Sequence, residues 1–272
     1  MQKFKKYMTV ELVGILILSG MLVGFINTLA GGGTIISMSL FLLLGLNPIE
    51  ANGTNRIPVI LQNMVSAFNF YRDKKLTNKD VKRAVCYTVP VALGSLFGSK
   101  ISIIIQDTTF FNIFFVVIMV VMLALMFLKP DKWFKGDANK VNSRISKLHL
   151  FFCFLIGLYA GFIHIGMGYF LLAILVLMDG FDLLRANAVK SFIVLLYAPF
   201  SLIFFIFDGK INYEYGFIHA IGNMIGAYIA SKWAVNWGMN FIRWVIAVFI
   251  VITCLHVLGI VDVKELLADL RF

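Results

Sequence analysis

Charge is what this chain has least of. Only 14% of its 272 residues are Asp, Glu, Lys or Arg, against 60% hydrophobic, and the mean hydropathy is +0.90. No soluble domain of this length sustains that balance. Cysteine is scarce too: Cys86, Cys153 and Cys254 stand far apart in apolar surroundings, without the Cys-x-x-Cys or Cys/His spacing of a disulfide framework or a thiolate metal site. No Gly-x-x-x-x-Gly-Lys-Ser/Thr loop occurs, so nothing in the chain would drive transport with ATP. Nor is there a nucleophile or metal cluster of the sort a membrane enzyme needs, and no cofactor is expected. Carboxylates suited to proton coupling reduce to Glu50, Asp179 and Asp182, all in connections, and the lone His149, His219 and His256 read as packed or interfacial.

What charge there is has one sign. The net charge is +10, and most of the 24 Lys and Arg fall in three short segments, 3–6, 72–83 and 129–147. Basic segments beside apolar spans are a topology signal before they are a binding site, because they gather on the cytoplasmic side against an anionic membrane face. The expected partner on this ground is a lipid bilayer, with no nucleic acid; a homodimer is a common outcome for membrane carriers of this size. The opening Lys-Phe-Lys-Lys run before an apolar stretch resembles a signal peptide. That stretch, however, carries half of a matched pair of motifs, so it reads as a first span.

The matched pairs recur along the chain. Gly20-Met21-Leu22-Val23-Gly24-Phe25 is answered by Gly157-Leu158-Tyr159-Ala160-Gly161-Phe162, and Ala51-Asn52 by Ala186-Asn187. At one constant offset Gly31 and Gly33 fall on Gly166 and Gly168, Gly45 on Gly180, and Asp73 on Asp208; Gly94 and Gly98 fall on Gly222 and Gly226 at a shorter one. Duplication in so apolar a chain points to a transporter, since many carrier folds enclose a central site between internal repeats.

Apolar stretches lie at about 9–29, 34–46, 56–71, 84–105 and 110–128, then at 148–165, 168–178, 188–207, 215–231 and 241–260. The expected architecture is an all-α polytopic transmembrane protein of two homologous repeats, each of four or five helical segments. Residues 1–128 form the first, 129–147 a basic cytoplasmic linker, and 148–272 the second. The stretches 34–46 and 168–178 span roughly 20 Å or less against a hydrocarbon core of about 30 Å, so they read as broken or re-entrant half-helices. If all three basic segments lie in the cytoplasm, an even number of crossings separates each from the next, and the repeats run in like orientation in the plasma membrane. Full crossing by the short segments would make them inverted.

Three features repeat at matching places. The first is the glycine turn: Asn27, then Gly31-Gly32-Gly33, in one half, and His164-Ile165-Gly166-Met167-Gly168 in the other. Glycine lets backbone approach a ligand, and a helix starting there offers free N–H groups to an anion; the competing reading is close helix packing by small residues. His164 beside such a turn is placed to bind or titrate. The second feature is Asn52-Gly53-Thr54-Asn55-Arg56 opposite Asn187-Ala188-Val189-Lys190-Ser191, whose two cations could meet across the pseudo-symmetry axis or snorkel to the interface. The third is a polar stripe at helical spacing, Asn52, Asn55, Arg56, Asn63 and Ser66 on one helix, and Asn187, Lys190, Ser191, Tyr197 and Ser201 on the other. In lipid such a face must look inward.

Over about residues 10–259 these motifs resemble the TauE/SafE family of sulfite exporters and related membrane transporters. The likeness lies in the glycine-rich break, in Gly45-Leu46-Asn47-Pro48 leading to Ala51-Asn52-Gly53-Thr54-Asn55, in Gly94 and Gly98, and in their second copies. It implies movement of sulfite, sulfoacetate or other small anions by alternating access, with a binding region carried by Gly31, Gly32, Gly33, Asn52, Thr54, Asn55, Gly166, Gly168, Asn187 and Lys190. A direct role for Arg56 is expected from its charge. The second half departs from the family pattern, having fewer small residues around His164 and Ala188-Val189 in place of Gly53-Thr54.

Overall fold

In a computed structural model, residues 8–105, 108–127, 137, 140–141, 145–233 and 239–260 are described. They form ten α-helices: α1 (Val10–Ala30), α2 (Thr34–Leu43), α3 (Pro48–Arg72), α4 (Asn78–Ile104), α5 (Thr108–Phe127), α6 (Lys147–Phe162), α7 (Met167–Ala173), α8 (Leu183–Phe207), α9 (Tyr213–Trp233) and α10 (Met239–Val257). A π-helical turn, Ile174–Met178, extends α7. No strand occurs among the described residues. α1, α4 and α8 are long and apolar enough to cross a membrane; α3 matches them in length but carries the polar stripe.

Local chemistry sets the helix ends. Thr9 caps α1, accepting from Leu12 N–H, and Gly31 closes it with φ +81°. Asn47 caps α3 with Pro48 in its first turn, Asp182 caps α8, and Thr77 and Asp80 form a capping box on α4. The outside is apolar, and an apolar core encloses a cluster of buried polar side chains. Leu18, Phe97, Phe217 and Trp244 are exposed, whereas Asn55, Arg56 and Ser191 are fully buried. That is the arrangement expected when lipid is the solvent.

Each short helix folds back along the one before it. Gly33 packs on Val23 and Asn27, and Ser37 bonds His219, whose ring also bonds the Leu16 carbonyl, so α2 retraces α1. In the second half α7 and its π turn retrace α6, ending at Asp179 beside His149. Both pairs are re-entrant.

Contacts between long helices set their directions. Ile17 and Met21 of α1 meet Gly222 and Gly226 of α9 in order, and Thr54 and Asn69 of α3 meet Asn212 and Ser231 at the two ends of α9. α1, α3 and α9 are therefore parallel. α4 and α6 are parallel in the same way through Gly94, Gly98, Gly157 and Gly161, and Arg185 at the start of α8 meets Asp80 at the start of α4. α3 and α8 are antiparallel, since Gly53 lies against Phe205 and Arg56 against Ser201. The two halves thus have the same element order and opposite senses, which corrects the expectation of like orientation. The earlier counting of crossings goes wrong because α1 and α2 return together to the side they left, so α3 makes one net crossing. The start of α1 consequently lies at the opposite end from the 72–83 turn. Residues 137, 140 and 141 lie at the turn's end, where Asp137 N–H bonds the Gly180 carbonyl and Arg83 the Val141 carbonyl. Segment 3–6 and most of 129–147 lie outside the described residues.

The duplicated glycines of the long helices serve packing. A methyl on Gly94 or Gly98 would fall on α6 backbone, and one on Gly157 or Gly161 on α4 backbone; Gly20, Gly24, Gly222 and Gly226 do the same for α1 and α9. These are close small-residue crossings of the kind that hold helices together in lipid.

Candidate functional site

The two helix breaks touch each other. A side chain on Gly31 would lie 2.7 Å from the Gly168 carbonyl carbon, and one on Gly168 would lie 2.5 Å from the Gly31 oxygen. Across the same junction Gly166 N–H donates to Thr34 Oγ1 at 3.0 Å. Gly32 lies against the Tyr169 ring. Breaking α1 and α6 here leaves carbonyls at their C-terminal ends without intrahelical partners, and the helix dipoles make those ends negative.

Each end is closed by side chains from the opposite half. Asn52 Nδ2 donates to Phe162 O at 2.9 Å, and Asn187 Nδ2 to Leu29 O at 2.7 Å. Arg56 Nη2 donates to Gly161 O at 2.9 Å, while Lys190 Nζ donates to Asn27 O at 2.7 Å and reaches Thr28 O at 3.4 Å. The matched motifs therefore do matched work, each Asn and cation binding the other half's break. Arg56 and Lys190 form no hydrogen bond to one another among the described residues; each goes to a separate break. Neither snorkels, for they are 0% and 2% exposed.

The two cations differ in what they have left to offer. Lys190 also donates to Asn187 Oδ1 at 2.6 Å, so its three N–H groups are matched by three oxygens. Arg56 Nη2 also donates to Asn52 Oδ1 at 3.1 Å, and Nη1 to Ser201 Oγ at 2.8 Å and towards His164 Nδ1 at 3.3 Å. Its guanidinium stacks over Phe205, and its Nε has no partner. Asn55, at both Oδ1 and Nδ2, and Ser191 Oγ are buried without partners as well. Each such orphan costs about 1–3 kcal/mol until something binds it.

Most decisive is the charge. Among the described residues neither Arg56 nor Lys190 makes an ion pair; the pairs are Arg72–Asp73, Arg83–Asp179, Lys140–Asp137, His149–Asp179 and Arg185–Asp80. Glu50 bonds Asn47 and Asp182 caps α8, so none of the three carboxylates singled out in the sequence reaches the cations. Carbonyl dipoles solvate the two positive charges but do not neutralise them.

Among the other expected residues, His164 is buried, with Nδ1 3.1 Å from Tyr197 Oη and its backbone N–H 3.3 Å from Asn52 Oδ1. Asn27 contributes its carbonyl, and Gly33 packs on Asn27. Thr54 stands apart: its Oγ1 accepts from Asn212 N–H at the start of α9. Tyr197 and Ser201, on the polar stripe but outside the expected binding set, join Arg56 and His164. Their helical spacing from Lys190 was the available signal. The carbonyl partners in α1 and α6 carried none, because backbone acceptors are the same at every residue.

Residues 16–257 match the family described as "Sulfite exporter TauE/SafE". The chain is 27% identical over 237 residues to the "Probable membrane transporter protein YfcA" of Escherichia coli K12, covering 87% of this chain and 86% of that one. It is 29% identical over 241 residues to a "Probable membrane transporter protein" of Haemophilus influenzae, covering 86% and 89%, and 25% identical over 236 residues to "Probable membrane transporter protein ORF9" of a Sinorhizobium species, covering 86% and 87%. No solved structure matches. With apolar helices able to span a bilayer and a match that runs nearly end to end, the chain belongs to the TauE/SafE family of membrane transporters.

Proposed function

We propose that this protein is a secondary carrier of small anions in the plasma membrane, with sulfite or a small organosulfonate as its substrate class. The observation that carries this reading is the pair of buried cations, Arg56 and Lys190, without a carboxylate partner among the described residues, at the junction of two broken helices. A lone charge in a low-dielectric interior is costly, by several kcal/mol, and in a membrane it marks a substrate path. An anion held between the breaks would supply the missing negative charge. Arg56 Nε, Asn55 and Ser191 would supply hydrogen bonds that nothing else uses. With all of these side chains buried, the arrangement corresponds to an occluded state. Antiparallel halves around such a site are the geometry from which alternating access follows.

We also infer the sidedness. The end bearing the basic 72–83 turn, residues 137, 140 and 141, and the start of α6 would be cytoplasmic by the positive-inside rule, and the start of α1 would face outside.

Radiolabelled sulfite counterflow in proteoliposomes tests the function, with sulfoacetate, sulfate and acetate as competitors. Saturable exchange blocked by some of these anions supports a carrier and ranks its substrates. Absence of exchange in sealed, loaded vesicles would count against the sulfur-anion reading.

A further inference from the structure

Resting on the anion-carrier reading, we propose that the substrate travels with a proton taken up by His164, so that the protein is a proton–anion symporter.

The geometry makes His164 a two-way switch. Arg56 Nη1 stands 3.3 Å from the ring Nδ1, and because a guanidinium can only donate, this contact assigns the neutral ring's proton to Nε2 and leaves Nδ1 as an acceptor. Two donors converge on that one lone pair: Arg56 Nη1 at 3.3 Å and Tyr197 Oη at 3.1 Å. A proton on Nδ1 reverses the role of that atom. The Tyr197 hydroxyl can turn and accept from it, since an O–H group has both functions. Arg56 cannot, because a guanidinium only donates. Protonation therefore expels Arg56 Nη1 from His164 and releases a donor beside the already unpartnered Nε.

Electrostatics makes the proton and the anion depend on each other. The groups facing the His164 ring are Arg56 from α3 and Tyr197 from α8, and Tyr197 also reaches the Met167 sulfur of α7. No carboxylate from any of these elements faces it among the described residues. A proton arriving alone would add a third positive charge to Arg56 and Lys190. One arriving with an anion would instead turn the site towards neutrality. By linkage, each ligand then raises the affinity for the other by the same factor. The proton enters from water on one side and leaves to water on the other, and no bond to the anion is made or broken.

The test uses the full chain in proteoliposomes with the membrane potential clamped near zero and sulfite as probe, at pH values above its second pKa. At one proton per anion, a one-unit pH gradient should hold sulfite about tenfold concentrated on the alkaline side. In His164→Gln the steady-state ratio should fall to one, whatever the rate at which it is reached. Calorimetric titration of the detergent-solubilised protein in two buffers of different ionisation enthalpy gives a second readout: proton uptake on sulfite binding in the wild type and none in His164→Gln. A wild type that exchanges sulfite at equal pH but does not accumulate it on a gradient overturns the coupling and leaves the carrier reading intact. A His164→Gln protein that still accumulates overturns it, as does a folded one that no longer binds sulfite, because His164 would then be an anion ligand. If the wild type neither exchanges nor binds sulfite, the carrier reading itself fails, and the coupling with it.

Discussion

Lys190 Nζ lies 2.7 Å from the Asn27 carbonyl, and Arg56 Nη2 lies 2.9 Å from that of Gly161, so each half of the protein holds a cation against the broken helix of the other. The pairing is reciprocal, but the chemistry is not. Lys190 has no donor to spare, whereas Arg56 keeps Nε free.

Substituting either cation should therefore have different consequences. Arg56→Gln should cut sulfite counterflow by about 10- to 100-fold, the loss expected for a charge-assisted hydrogen bond worth about 1.5–3 kcal/mol. Lys190→Met should lower both counterflow and melting temperature in detergent, because it also removes the ammonium that joins the Asn27 and Thr28 carbonyls to α8. Full exchange in both variants would remove these residues from the site.

Gly31→Ala and Gly168→Ala should each be severe, for different reasons. Gly31 sits at φ +81° and also faces Gly168 backbone, so a side chain there adds about 1–2 kcal/mol of left-handed strain to the clash. Gly168 has only the clash. Both proteins should lose exchange, with Gly31→Ala melting lower; wild-type behaviour of either would show that the two breaks can separate freely.

The salt bridge between Asp80 and Arg185, with Nη2 to Oδ1 at 2.6 Å, joins the starts of α4 and α8 outside the candidate site. Asp80 is buried and Arg185 partly exposed, and Thr77 also donates to the carboxylate. Asp80→Asn should lower stability by about 1.5–3 kcal/mol, the range for hydrogen bonds to a charged group, and leave substrate competition order unchanged. A changed order, read in the counterflow panel, would mean that this end of the molecule shapes the site.

Sidedness is open to direct labelling. Asp73 and Asp208 occupy matching places in the two halves and are both exposed, yet they cap the ends of antiparallel helices α3 and α8. Asp73→Cys should react with an impermeant thiol reagent only from the cytoplasm, and Asp208→Cys only from outside, in a background lacking the native cysteines. Reaction of both from one side would contradict the opposed halves.

Much of this was readable before any coordinates. The glycine breaks and the inward polar stripe, with Asn52, Arg56, Asn187 and Lys190 on it, follow from duplication and helical spacing. The sense of the halves did not, because hydropathy marks a short apolar stretch without telling whether it crosses or turns back. The glycine pairs had two readings. Gly31 and Gly168 bring breaks together at the site, while Gly94, Gly98, Gly222 and Gly226 bring helices together away from it, and only their neighbours distinguish them. Thr54 looked equal to Asn55 in sequence, but one turn of backbone, Asn212, claims its hydroxyl.

The close glycine crossings also bear on how the protein is made. α1 rests on α9, and α4 on α6, so every such crossing joins an early helix to a late one. While the first half is being inserted, the glycine grooves of α1 and α4 have only lipid to fill them. Their partners have yet to be synthesised. The two bundles can mature only once the second half has entered the bilayer, and a chain cut in the middle would give two fragments that need each other to fold.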